Sequence, residues 1–305
     1  MDVAVIVVSW NVRDYLANCI RSVHADFERS GLKGEVWVVD NASTDGTQEL
    51  LTDLFPTTRL IINGDNPGFG AANNQGMAAA SANGQAPRYY LLLNPDTLIR
   101  PNALANLVEC LDNNPKAGVA GARLVYSDGR FQHSAFAFPG LAQLTFDLYH
   151  IPDRLYESKL NGRYPRRLYK SDRDPFEVDH PLGAAMLVRS DVAIASGGFD
   201  ESYHMYCEEI DWCWRIRQSG WTIYTVPRAE IVHYGGESTR QVKAKSIRNL
   251  WGSRAHLYHQ HHGRVRFELA RWLAQKGLRR KASGASDPVL QNAYLSAADT
   301  WQGVK

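Results

Sequence analysis

The sequence predicts an α/β fold, a single mixed and mostly parallel sheet flanked by helices, on three observations. Residues 3–9 (VAVIVVS), 36–39 (VWVV) and 90–93 (YLLL) are short apolar runs without alternation, the signature of strands buried on both faces. Amphipathic segments long enough for crossover connections separate them. Two of the runs end in a carboxylate at a turn, Asp40 and Asp96, and in an open α/β sheet the ligand crevice lies beyond the carboxyl ends of the strands.

In chain order, the first strand stops at the polar break Trp10-Asn11, and residues 12–27 read as a helix because Tyr15, Cys19, Ser22 and Val23 recur at three and four. The second strand ends at Asp40-Asn41 and the turn Ser43-Thr44-Asp45-Gly46, which completes a βαβ unit. Residues 47–55 follow as a helix and 59–63 as a third strand. The turn Asn66-Pro67-Gly68-Phe69-Gly70 then feeds a small-residue helix over 71–80. That turn is not a dinucleotide fingerprint, since Asn73 stands where the third glycine belongs and the turn follows the third strand. Pro95 has no N–H to give a ladder, so the strand through Leu93 stops and Asp96 sits at its end, either facing a ligand or capping the turn toward the helix 102–112.

Residues 118–125 read as another strand. Residues 127–180, rich in Phe, Tyr, Arg and Pro without clean periodicity, read as a long surface excursion. Residues 183–189 restore a strand. In the segment 204–215, helical geometry puts Glu208, Asp211 and Arg215 on one face, with Glu209 about a hundred degrees round. Asp211 and Arg215 make a surface ion pair in the plain reading, yet three carboxylates among Tyr, Cys and Trp fit poorly with a solvated face. Residues 222–226 and 231–233 read as two strands, the second ending in His233 before Gly235-Gly236. Asp287-Pro288 opens a last helix running to about Gln302.

Composition narrows the class. The chain has 305 residues, 44% hydrophobic and 22% charged, with a net charge of +2, so no global field points to nucleic acid. The cysteines Cys19, Cys110, Cys207 and Cys213 form no CxxC pair or disulfide framework, which suits a reducing compartment. The chain starts on a strand rather than a signal sequence, and no run reaches the length of a membrane span.

Seven motifs, in order across roughly residues 3–240, carry a resemblance: VVSWN (7–11), VDNASTDGT (39–47), NPGFGAANNQG (66–76), LLLNPDT (91–97), GAAMLVR (183–189), MYCEEIDWCWR (205–215) and HYGGEST (233–239). Together they resemble family 2 nucleotide-sugar glycosyltransferases of the GT-A fold, and within them the bacterial rhamnosyltransferase-like group. The resemblance implies a catalytic domain over residues 1–240, with a nucleotide-sugar half (1–126) and an acceptor half (127–240), and a C-terminal helical extension over 241–305. A nucleotidyltransferase on a related sheet would need a glycine-rich basic loop after the first strand, and Trp10-Asn11-Val12-Arg13 is not one.

Residue by residue, the resemblance assigns the donor to Ser9, Asn11, Asp40, Asn41, Asn66, Gly68, Asn74, Asn94 and Asp96, with Asp40 on the base or ribose. Asp96 and His233 would hold Mg²⁺ or Mn²⁺ against the diphosphate. Glu209 falls at the catalytic-base position, one methylene longer than the usual Asp, so Asp211 stays open as an alternative. Arg166 and Arg167 are assigned to the acceptor on composition, since an aromatic and basic excursion between two core strands suits sugar stacking and phosphate pairing, and Glu208 joins them. The implied reaction is inverting transfer, of L-rhamnose from dTDP-L-rhamnose or of another dTDP- or UDP-linked sugar, to a glycan or polyprenyl-diphosphate-linked acceptor in cell-envelope synthesis. It implies a cytoplasmic enzyme, peripheral on the plasma membrane, without a nucleic-acid partner. A protein of the same fold that binds sugar nucleotide or glycan without turnover is the alternative.

Beyond the motifs, residues 263–281 carry five Arg and two Lys against one Glu, and Val265, Leu269, Trp272 and Leu273 fall at helical spacing. Such a helix either lies in a membrane interface or packs this stripe on the catalytic domain.

Overall fold

A computed structural model describes all residues of the chain except 83, 85, 236–242 and 305. The first half runs β1 (Val3–Ser9), α1 (Arg13–Ser30), β2 (Gly34–Asp40), α2 (Thr47–Leu54), β3 (Arg59–Ile62), α3 (Phe69–Ala80), β4 (Tyr89–Leu93), β5 (Thr97–Ile99), α4 (Ala103–Asn113) and β6 (Ala117–Val125). The second half adds β7 (Phe131–Gln132), β8 (Ala135–Phe136), α5 (Leu141–Leu148), α6 (Asp153–Tyr156), β9 (Phe176–Glu177), β10 (His180–Pro181), β11 (Ala185–Arg189), α7 (Ser190–Ala195), α8 (Glu208–Gln218) and β12 (Thr222–His233). Three long helices follow: α9 (Lys243–His261), α10 (Arg264–Ser283) and α11 (Pro288–Gly303).

The main sheet is ordered β3-β2-β1-β4-β11-β6-β12-β5. The first four strands are parallel, whereas β11 runs antiparallel to both β4 and β6. Strand alternation explains the continuous apolar runs. Val3, Val5 and Val7 face a core layer shared with α1 and α4, while Ala4, Ile6 and Val8 face the layer that includes α3 and α8. All parallel strands therefore end on one edge, where their polar terminal residues gather.

Residues 222–233 form one strand rather than two. Pro227 cannot donate to the ladder, and the strand slips register between Val226 and Glu230 instead of ending. Beyond that irregularity Ile231, Val232 and His233 pair with Ile99, Leu98 and Thr97 of β5, a three-residue strand without a sequence signal of its own. This pairing brings the end of β12 against Asp96.

Residues 127–180 are likewise no mere surface excursion. Ala135, Leu144, Leu148 and Tyr169 are buried, and β8 pairs with β10 beside the main sheet. Leu144 and Leu148 of α5 enter a third core with Trp251, Tyr258, Phe267, Ala274, Leu278 and Trp301 of the C-terminal helices. The approach is close at Gly277, where an added Cβ would lie 2.8 Å from Leu148 Cβ. Helix α10 packs through Phe267, Ala270, Ala274 and Leu278, leaving Val265, Leu269 and Trp272 exposed. The stripe that the sequence offers for packing is thus turned outward, apart from the partly buried Leu273. Asp287 caps α11 by accepting a 2.8 Å bond from Val289 N, as its sequence predicts. The four cysteines are free and buried. Among the described residues no helix is long and apolar enough to cross a membrane.

Candidate active site

The ends of β1, β2 and β4 form the floor of the site. Asn11 and Ala42, just past β1 and β2, take positive φ of 52° and 59°, strain that non-glycine residues carry mainly where a site is pre-shaped. Asn11 N donates to Ser43 Oγ at 2.9 Å and Asn11 Oδ1 accepts from Thr44 N at 2.8 Å, locking the two turns together. Asp40 Oδ2 accepts from Gln48 Nε2 at 2.9 Å, while its Oδ1 is buried without a hydrogen-bond partner. Ser9 Oγ is buried and unpartnered too. Buried polar atoms normally find partners, so two orphans at adjacent strand ends suit a polar ligand.

Asn41 donates weakly to Asn66 Oδ1 at 3.3 Å and Gly68 O at 3.4 Å, and accepts from Asn63 Nδ2 at 2.9 Å. Gly68 needs its glycine: φ is +102°, and a Cβ would fall 2.1 Å from His204 O. Asn74 ties α3 to the 198–201 loop, donating to Phe199 O and Glu201 Oε1 and accepting from Phe199 N. Its polar atoms are therefore engaged within the protein.

At the β4 corner Asn94 N donates to Ala184 O at 2.9 Å, and Asp96 O accepts from Tyr234 N at 3.0 Å. His233 Nε2 stands 3.5 Å from Asp96 Oδ1, both side chains 8% exposed. That nitrogen has no hydrogen-bond partner among the described residues, while Nδ1 lies 3.3 Å from Gln132 Oε1. A buried imidazole nitrogen without a hydrogen-bond partner, beside a buried carboxylate, fits a divalent cation with one hard and one borderline ligand. No cluster of three or more such ligands occurs among the described residues, so the remaining positions would fall to substrate oxygens and water.

Helix α8 sorts its three carboxylates by environment. Tyr206 and Cys207, at φ 72° and 68°, turn the chain sharply into it. Asp211 is fully engaged: Oδ2 accepts from Arg215 Nε at 2.8 Å and Oδ1 from His261 Nε2 at 2.7 Å. Glu208 is buried with Oε2 unpartnered, and burial with the neighbouring Glu209 pushes its carboxyl well above the ordinary range. Burial pushes Glu209 up to about 7, against the pull of the backbone N–H groups of Glu209 and Ile210. Its side chain lies across Gly183, where a Cβ would come 3.4 Å from Glu209 Cγ.

Glu209 lines a 230 Å³ cavity with Phe136, Gln143, Asp147, Arg163, His180, Leu182 and Arg254. This adjoins a 620 Å³ cavity, also lined by Phe136, Arg163 and Leu182, that reaches Arg130, Arg166 and the His233 partner Gln132. The base candidate thus lines one cavity, and the neighbouring cavity reaches Gln132, which stands between it and His233. Burial holds His180 down at about 4, keeping it neutral in the wall. Arg166 lines the larger cavity and donates to Glu157 at 3.0 Å, whereas Arg167 is exposed and lines neither cavity. Arg163, Arg254, His180 and Gln132 went unread in the sequence. The sequence shows that 127–180 is basic and aromatic, but not which arginines turn inward.

Residues 4–171 match the model of Glycosyl transferase family 2. The chain belongs to this family. Among its relatives, N-acetylglucosaminyl-diphospho-decaprenol L-rhamnosyltransferase of Mycobacterium tuberculosis is 29% identical over 249 residues, covering 80% of this chain and 79% of the relative. Rhamnosyltransferase WbbL of Escherichia coli is 26% identical over 250 residues, covering 81% and 88%. These relatives set the family 2 member among the rhamnosyltransferase-like glycosyltransferases. Its fold is GT-A. Mannosyltransferase PcManGT from Pyrobaculum calidifontis, in complex with GDP-Man and Mn²⁺, superposes with a TM-score of 0.57 at 17% identity, over 99% of this chain and 87% of that one. GalNAc-T7 with UDP, GalNAc and Mn²⁺ gives 0.62 at 12% identity, over 99% of this chain and 56% of that longer one.

Proposed function

We propose that this glycosyltransferase moves L-rhamnose from dTDP-L-rhamnose, with inversion, to a sugar on a polyprenyl diphosphate during cell-envelope glycan synthesis. The observation that carries the mechanism is the division of labour on α8. Glu209 opens onto a cavity of 230 Å³, about the size of one sugar ring, with a carboxyl held near 7, while both oxygens of Asp211 are already bonded. The rhamnose rests on the names of both relatives, and the lipid carrier on that of the Mycobacterium tuberculosis relative alone.

In this reading Ser9, Asp40 and Asn41 hold the nucleoside and the Asn94–Asp96 corner faces the diphosphate. The ionised Glu209 takes the proton from an acceptor hydroxyl. The acceptor oxygen forms its bond to the anomeric carbon on the face opposite the departing nucleoside diphosphate, so one displacement inverts the centre. Asp96 and His233 would hold Mg²⁺ or Mn²⁺, which when bound offsets the negative charge gathering on the leaving group. Burial and the neighbouring Glu209 raise the Glu208 carboxyl, which favours its neutral form beside the base.

The test is product formation from a panel of dTDP-, UDP- and GDP-sugars with a short-chain prenyl-diphosphate-linked N-acetylglucosamine, the new linkage assigned by NMR. dTDP-L-rhamnose should be consumed and its anomeric configuration inverted. Turnover of a different donor alone removes the rhamnose assignment. Tight donor binding without any turnover across the panel would favour a non-catalytic binding protein.

A further inference from the structure

We propose that the outward face of α10 docks on an anionic bilayer surface. The helix has two unlike faces. Phe267, Ala270, Ala274 and Leu278 are buried against α5, α9 and α11, and the opposite side presents Val265, Leu269 and Trp272 at 76%, 49% and 58% exposure. Four, seven and eleven residues on from Val265, the same stripe runs through Leu269, Trp272 and Lys276. The Lys276 ammonium lies 5.1 Å from the Trp272 ring centroid, and Arg279 and Arg280 are exposed one turn further. Residues 263–281 bear seven basic side chains against one acidic, a net +6 in a chain of net +2.

An ordinary solvated face does not align Val, Leu and Trp at helical spacing on the side away from the core. A band of apolar side chains with Trp, edged by Lys and Arg, matches a membrane interface: the apolar groups enter the acyl boundary and the cations meet lipid phosphates. A second copy of the chain is a worse occupant. A symmetric contact would bring two segments of net +6 into one interface. Arg271 is not part of the face, because it lies over Phe267 and donates to Glu268 and to Val304 O.

The placement matters for the cleft. Leu144 and Leu148 of α5 pack in the same core as α10, while Gln143 and Asp147 of that helix line the cavity holding Glu209. One helix therefore separates the docking face from acceptor space. The docking surface does not depend on which sugar is transferred.

The experiment is vesicle flotation of the full chain with phosphatidylcholine alone and with phosphatidylcholine containing phosphatidylglycerol, at low and high salt. Wild type should float only with the anionic vesicles, and less so in high salt. Reversing Lys276, Arg279 and Arg280 to Glu should lower the partition coefficient by at least about a hundredfold, each cation contributing about fivefold. Leu269→Gln with Trp272→Gln should also abolish flotation, and Ile194→Gln, a change at an exposed apolar residue elsewhere, should not. Circular dichroism checks that each variant is folded. Flotation that is absent in wild type, or equal in all variants, overturns the proposal. So does a dimer, seen by sedimentation velocity, that the α10 variants dissociate.

Discussion

His261 of α9 donates a 2.7 Å hydrogen bond to Asp211 of α8, joining the C-terminal helices to the helix that carries Glu209. Asp211 is 2% exposed and already holds Arg215, so its charge is committed to structure. Asp211→Asn should lower stability by about 3 kcal/mol, the scale of breaking a buried ion pair, while kcat at a permissive temperature falls less than about tenfold. Thermal melts and single-temperature kinetics separate the two effects. Collapse of kcat with an unchanged Tm would make Asp211 the base.

Glu209→Gln should reduce kcat by roughly a hundredfold to ten-thousandfold with donor affinity intact. In the wild type, kcat/KM should rise with pH through about 7, because only the ionised carboxylate accepts the proton. Stability should move the opposite way. The folded state raises this carboxyl from 4.5 to about 7, so its favourable contribution is complete below about 4.5 and is lost as pH climbs through 7. Glu209→Gln should therefore match wild type in denaturant at pH 4 and exceed it at pH 8, by up to about 3 kcal/mol. Equal stability across that range would contradict the raised carboxyl.

Asp96→Asn and His233→Ala should each remove the gain in dTDP affinity that Mn²⁺ or Mg²⁺ gives the wild type. Affinity in excess chelator should stay within about threefold, since neither change touches Ser9, Asp40 or Asn41. Calorimetric titration with and without metal reads this directly. A variant that keeps the full metal response would free that residue from the role.

Arg163→Gln and Arg254→Gln should each raise the acceptor KM by about tenfold or more, the scale of losing a hydrogen bond to a charged group, and leave the donor KM alone. Both arginines line the cavity that holds Glu209. Arg167→Ala should leave both constants unchanged, because that side chain is outside the cleft. Equal changes in donor and acceptor KM for Arg163→Gln would indicate a folding defect.

The polar edge of the sheet was legible because each apolar run stops at a polar residue, and parallel strands collect their carboxyl ends on one side. The pairing of Thr97 with His233 was not, since it depends on a register slip at Pro227 that reads locally as a break. The packing of 127–180 escaped the sequence for another reason. Leu144 and Leu148 find their partners on α10, well over a hundred residues later. Which face of α10 packs was left open for a third reason: periodicity picks out the largest apolar residues, but the close approach at Gly277 favours small Ala and Gly in the contact. The sequence left Asp211 open as an alternative to Glu209; its pairing with Arg215 was legible at i,i+4, but the arrival of His261 on its second oxygen was not.

The shared core of α5 and the C-terminal helices bears on how this enzyme can be recombined. Chimaeras that exchange everything after residue 240 for the tail of a relative would take from Leu144 and Leu148 their partners on the C-terminal helices and from Asp211 its bond to His261. A workable crossover has to carry residues 141–148 and the His261 contact as one inherited block, which makes the tail an organ of the catalytic unit rather than a detachable accessory.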